Sequence, residues 1–190
     1  MIKTKILFNG LKNRLPPRTR SFLLKGTGLV ILWKILPKIF TIDLSFLHFP
    51  LTKHVANLSV FTLNYFTPLS GYSTSRDILS SNFILSRIYH HDKFLLNVAD
   101  GCNGLNLFAL YIGFILLMPS KFGRKIKYIL IGVIIIDLMN ILRSSILIYL
   151  YEYHNVFFDF AHLYFFRALL YSSVFLLWVY FTKKINAKNK

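Results

Sequence analysis

Asn97-Val98-Ala99-Asp100-Gly101-Cys102-Asn103-Gly104-Leu105-Asn106 is a short polar segment that runs without a break into the apolar stretch Leu107–Pro119. It holds the only cysteine of the 190-residue chain, with a glycine close on either side. A stretch with this order places a thiol where irregular backbone enters an apolar helix. Glycines and small polar residues bend the chain and leave backbone N–H groups accessible, which suits a reactive group better than a packed one. A lone buried cysteine is also an ordinary small hydrophobe, so this segment alone does not assign a role.

Working outward, the chain is 55% hydrophobic and only 16% charged, and its apolar residues come in long blocks. That pattern predicts an all-α integral membrane protein with about four transmembrane helices. The net charge of +16 would suggest nucleic acid in a soluble protein. Here the Lys and Arg residues gather at the ends of apolar blocks, so the partner is the lipid bilayer and not nucleic acid. One cysteine excludes an internal disulfide and a C-x-x-C redox pair.

The expected organisation is a single membrane domain. Residues 1–21 form a basic cytoplasmic tail, broken by Pro16-Pro17, and residues 22–42 a first span interrupted by Lys25, Lys34 and Lys38. Residues 43–101 are expected outside. They hold a helix at Val55–Phe66 lying in the interface, a Ser/Thr-rich loop at Ser70–Ser81, and a β-hairpin of Phe83–Tyr89 and Phe94–Ala99 around His90-His91-Asp92-Lys93. Spans are expected at 102–119, 128–151 and 161–182, with a basic loop at Lys121–Lys127 and a basic tail at 183–190. The N-terminus, the loop and the tail hold most of the basic residues and no acids, and should all face the cytoplasm.

That arrangement brings three expensive residues into the outer leaflet. Cys102 and His162 stand at the outer ends of their spans. Arg143 lies eight residues inside Tyr151, or about 12 Å at the helical rise. An arginine near a membrane helix centre costs about 2.5–3.5 kcal/mol on insertion scales, and such residues mark function more often than packing. Asp137, Asn140, Arg143 and Ser144 are three to four apart or adjacent and make one polar stripe. Asn106 lies one turn below Cys102. His154 competes with His162 for any acid–base role, and Arg167 is off the His162 face, where it can meet solvent or lipid phosphate. His90-His91-Asp92 lacks a third ligand, so neither a metal nor a cofactor is expected. A thiolate is a nucleophile, an imidazole can protonate a leaving amine, and a guanidinium can hold a developing oxyanion. Together they suit acyl transfer from a peptide bond. The competing class is a small non-enzymatic membrane protein, a transporter or assembly subunit, in which Arg143 and Asp137 pair structurally or line a path.

Cys102-Asn103-Gly104, Asn140-Ile-Leu-Arg143 and His162 in Phe160-Ala-His-Leu-Tyr resemble, in order, the motifs C-[SAN]-G, N-x-x-R and the histidine of the exosortase/archaeosortase family of membrane transpeptidases. The resemblance covers about residues 83–182 and is nearest to the short F-type exosortases of Bacteroidetes; the accessory spans of longer members are absent. It implies Cys102 as nucleophile, His162 as acid and base, and Arg143 as transition-state stabiliser, with Asn103, Gly104, Asn106, Asn140 and Arg167 as supporting or substrate-facing residues. The implied partner is a secreted protein whose C-terminal sorting signal is a short motif, a membrane helix and a basic tail. The charge pattern predicts that reporter fusions at Lys125 and Lys188 read cytoplasmic and one at Asp77 reads external. An external reading at Lys188 would contradict this topology.

Overall fold

The computed structural model describes residues 45–66, 70–80 and 83–186, with isolated helical positions between Leu24 and Ile35. The expected span at 22–42 and the terminal tails fall outside the described residues, apart from those positions and the first few residues of the C-terminal tail. Helix α1 covers Ser45–Phe66, and strands β1, β2 and β3 cover Tyr72–Ser80, Phe83–His90 and Lys93–Val98. A 3₁₀ turn at Asp100–Cys102 leads into α2, Leu105–Leu117, and then α3, Phe122–Tyr153. Helix α4, Asn155–Phe160, continues through a π-helical turn at Ala161–Phe165 into α5, Phe166–Asn186. Phe122–Tyr153 and Asn155–Lys183 are each long and apolar enough to cross a membrane, whereas Leu105–Leu117 is shorter.

Three expectations change. The helix expected at Val55–Phe66 begins at Ser45, and it lies lengthwise along α3. The contacts advance in step along both helices. His54 Nε2 meets Asp137 Oδ2 at 2.9 Å, and Ser59 Oγ donates to the Ile141 carbonyl at 3.4 Å. Ser145 Oγ donates to the Ser59 carbonyl at 3.4 Å. The two helices therefore run in the same direction. Polar residues that a hydropathy reading assigns to water are buried in the protein: Thr52 and Ser59 are fully buried, Ser59 against α3 and Thr52 beside Asn103. The Ser/Thr-rich segment is a strand and not a loop, so the region between α1 and α2 is a three-stranded antiparallel sheet in the order β1-β2-β3. The boundaries of the later helices also move. Arg124, Lys125 and Lys127 lie in the first turns of α3, and most of the stretch between the spans expected at 128–151 and 161–182 is helical.

The β2–β3 hairpin forms as its sequence suggests. Its turn is His91-Asp92, with both residues at positive φ (46° and 63°), the twist that a two-residue hairpin favours. One face of the sheet, through Tyr72, Ile88, Leu95 and Val98, packs on Ala56, Val60 and Leu63 of α1 and Ile148 of α3. A polar clamp fixes the sheet to the end of α3. Tyr72 Oη donates to Glu152 Oε2 at 2.6 Å, and His90 Nδ1 meets Glu152 Oε1 at 2.6 Å. The Tyr72 and His90 rings stack at 4.2 Å. Burial, reinforced by the Glu152 carboxylate, pushes the Tyr72 phenol well above its ordinary range, so it stays a donor.

The helices meet around Phe114, Ile115, Ile136, Leu170, Val174 and Phe181, with Phe114 stacked on Trp178 at 4.3 Å. Between apolar helices in lipid, close approach at small residues supplies the packing. Gly132 is such a point: a Cβ there would land inside the Tyr111 ring, whose hydroxyl donates to the Tyr128 carbonyl at 2.7 Å. This contact sets how near α2, and so Cys102, comes to α3. Gly132→Ala is expected to destabilise the protein by about 1–3 kcal/mol through overpacking, measured as a lowered Tm in detergent. An unchanged Tm would show that the two helices are not held at this point.

Candidate active site

The turn that carries Cys102 is short and has little internal support. Cys102 N–H donates to the Ala99 carbonyl at 2.8 Å, Leu105 N–H to Asn103 Oδ1 at 3.0 Å, and Leu107 and Phe108 N–H both turn to the Gly104 carbonyl. Gly104 adopts φ +81°, and a Cβ on it would lie 3.3 Å from Asn140 Nδ2. The left-handed backbone calls for glycine there, and the close amide leaves a side chain little room. That amide reaches across from α3: Asn140 Nδ2 donates to the Cys102 carbonyl at 2.9 Å, and Asn140 is fully buried.

Arg143 follows Asn140 by three residues, so both project toward α2. It is 8% exposed, and its Nη2 lies 3.9 Å from Cys102 Sγ, within hydrogen-bonding distance for sulfur. Cys102 is half-buried. The guanidinium is placed to stabilise negative charge on the sulfur or on an oxygen beside it. Asn140 Oδ1 and Arg143 Nε are buried and have no partner among the described residues. Two polar atoms with unused hydrogen-bonding capacity therefore flank the thiol.

His162 comes from the other side. Ala161 packs with Phe166 against Leu147, one turn beyond Arg143 on α3. His162 stands next to it in the π-turn, its ring stacked on Phe158 at 5.6 Å between centroids. Arg143, Arg167 and Asp159 all lie within electrostatic range of it. Its ring makes no hydrogen bond to Cys102 or Arg143 among the described residues. A π-turn inserts one extra residue into a helix and often marks a functional position; here it re-aims the helix at His162. His154 stands at the break between α3 and α4, exposed, with its ring 6.0 Å from Tyr149.

The structure thus joins Cys102, Asn140 and Arg143 by direct contact and brings His162 near Arg143 without a bond. Asn103 is buried beside the thiol, whereas Asn106 and Arg167 lie on exposed faces of α2 and α5. Asp137 pairs with His54 and not with Arg143. His90 is engaged by Glu152, away from any cluster with Asp92. Sequence reading missed His48 and Thr52 of α1, which contact Asn103. The available signal was their four-residue spacing, which puts both on one helical face. The π-turn left no signal.

Neither the curated proteins nor the solved structures compared with this chain gave a match. A family model described as transmembrane exosortase matches residues 19–180, which includes every residue of the site. With that match over most of its length, the chain belongs to the exosortase family.

Proposed function

We propose that the protein is a membrane cysteine transpeptidase, of the short F type, that cleaves the C-terminal sorting signal of secreted proteins and passes them to an acceptor. The observation that carries this reading is the contact of Arg143 Nη2 with Cys102 Sγ in a half-buried turn. A thiol that merely fills space has no need of a buried guanidinium, which is costly to place in an apolar helix.

In this reading the Cys102 thiolate attacks the scissile carbonyl. A C–S bond forms, the C–N bond breaks, and His162 gives its proton to the departing amine. Arg143 holds the oxyanion, and Asn140, committed to the Cys102 carbonyl, keeps the turn in register. An acceptor nucleophile then attacks the thioester, losing its proton to His162 and releasing the thiolate. His162 reaches the reacting atoms once substrate lies between the helices, because catalytic contacts often tighten only in the complex. The non-enzymatic alternative has Arg143 and Asp137 pair structurally or line a path; the engagement of Asp137 by His54 speaks against the pair.

The proposed setting is the cell inner membrane, with both termini cytoplasmic and the site toward the outer face. Because α1 runs parallel to α3, it can serve as the first of four crossings, followed by α2, α3 and α4–α5. That assignment keeps the basic N-terminus and Lys121–Lys127 on one side without a crossing at residues 22–42.

Cys102→Ala removes little volume, so the protein should reach the membrane while processing of a co-expressed secreted protein with a helix and basic tail is abolished. Arg143→Lys keeps the charge but loses the planar fork, and turnover should fall by about 10²–10³, the worth of one oxyanion donor. Immunoblots of substrate processing read both. Normal processing by the Cys102→Ala protein would overturn the reading.

A further inference from the structure

The residue after the nucleophile is held from a helix that sequence reading left apart from the site. Asn103 is 1% exposed. Its Oδ1 accepts the Leu105 N–H at 3.0 Å, which fixes the amide so that Nδ2 faces α1. There it meets His48 Nδ1 at 2.9 Å, the His48 carbonyl at 3.1 Å and Thr52 Oγ1 at 3.2 Å. Since Oδ1 is committed, Nδ2 is the donor and His48 Nδ1 must accept. The ring therefore carries its proton on Nε2.

We infer that His48 is a positioning residue for the nucleophile, its Nδ1 lone pair holding Asn103 so that the Cys102 sulfur stays against Arg143. The turn needs such a hold. Between β3 and α2 its own support among the described residues is the bond from Cys102 N–H to Ala99 and the bond from Leu105 N–H to the Asn103 side chain. Two buried amides grip it from opposite helices: Asn140 of α3 on the Cys102 carbonyl, and Asn103 on α1. Releasing either grip lets the sulfur move relative to a guanidinium that is itself fixed by burial. A misplacement of about 1 Å costs on the order of 10²-fold in a positioned reaction. Helix α1 is then part of the active site and not a peripheral support for the sheet.

This deepens the reading of Cys102 as a nucleophile, but its test requires no substrate. Cys102 is the only cysteine, so iodoacetamide labelling of the intact protein in membrane vesicles, followed by mass spectrometry, reads its reactivity directly. His48→Leu should label roughly tenfold more slowly than the unaltered protein, since the sulfur leaves the cation that favours the thiolate. His48→Asn places an acceptor oxygen near the former Nδ1 and should restore the rate to within about twofold. Rescue by the acceptor, with Tm unchanged across the set, separates positioning from general loss of structure. If His48→Leu does not reach the membrane, Thr52→Val carries the test, because it removes another acceptor of the same amide at constant volume. An equal or faster rate in His48→Leu, or no rescue by His48→Asn, overturns the inference. Failure of the transpeptidase reading would appear separately, as processing by Cys102→Ala.

Discussion

A guanidinium ten residues inside the end of an apolar helix has to be solvated by the protein itself, and the molecule is arranged around that requirement. Arg143 is 8% exposed, so it cannot rely on water. Its Nη2 turns to the Cys102 sulfur, and its Nε stays without a partner among the described residues. The sulfur is a weak acceptor, and an arginine held for stability alone would be better served by a carboxylate. The nearest acid on its own stripe, Asp137, is instead engaged by His54. The unused capacity of Arg143 is thus kept beside the thiol, where charge would develop in acyl transfer.

The elements around this pair act as a frame. Gly132 lets α2 approach α3, and Gly104 lets the Asn140 amide reach the Cys102 carbonyl. Glu152, at the end of the same α3 helix, clamps β1 and β2 through Tyr72 and His90. Strand β3 is paired to β2 and leads into the Cys102 turn within a few residues. One rigid helix therefore carries Asn140, Arg143 and the sheet's anchor. Sites built on regular elements hold their geometry better than sites built on loops. Two components are irregular: the turn that carries Cys102 and the π-turn that carries His162, to which the proposed mechanism gives the proton transfers.

Much of the site was legible because the chemistry is sparse. A single cysteine between glycines and an Asn and Arg three apart in an apolar run leave few combinations, and the three do meet. The hairpin was legible from its short β-prone arms and the polar His-His-Asp-Lys segment between them. What was hidden has a common cause: polar residues in a membrane protein were read as facing water. Thr52 and Ser59 are buried against neighbouring backbone and side chains, so α1 looked too short and too polar. The Ser and Thr of β1 satisfy a sheet and not a loop. The separation of His162 from Cys102 could not be read from spacing, because a π-turn shifts the helical face without a sequence mark.

The central claim is that Cys102 carries the substrate as a thioester. It is tested by isolating the His162→Ala protein after co-expression with a substrate and examining Cys102 by mass spectrometry. The expected result is an adduct on Cys102 with the mass of the acyl fragment, released by hydroxylamine and absent from Cys102→Ala. Cleavage of the substrate with Cys102 unmodified, or an adduct on another residue, would contradict the account.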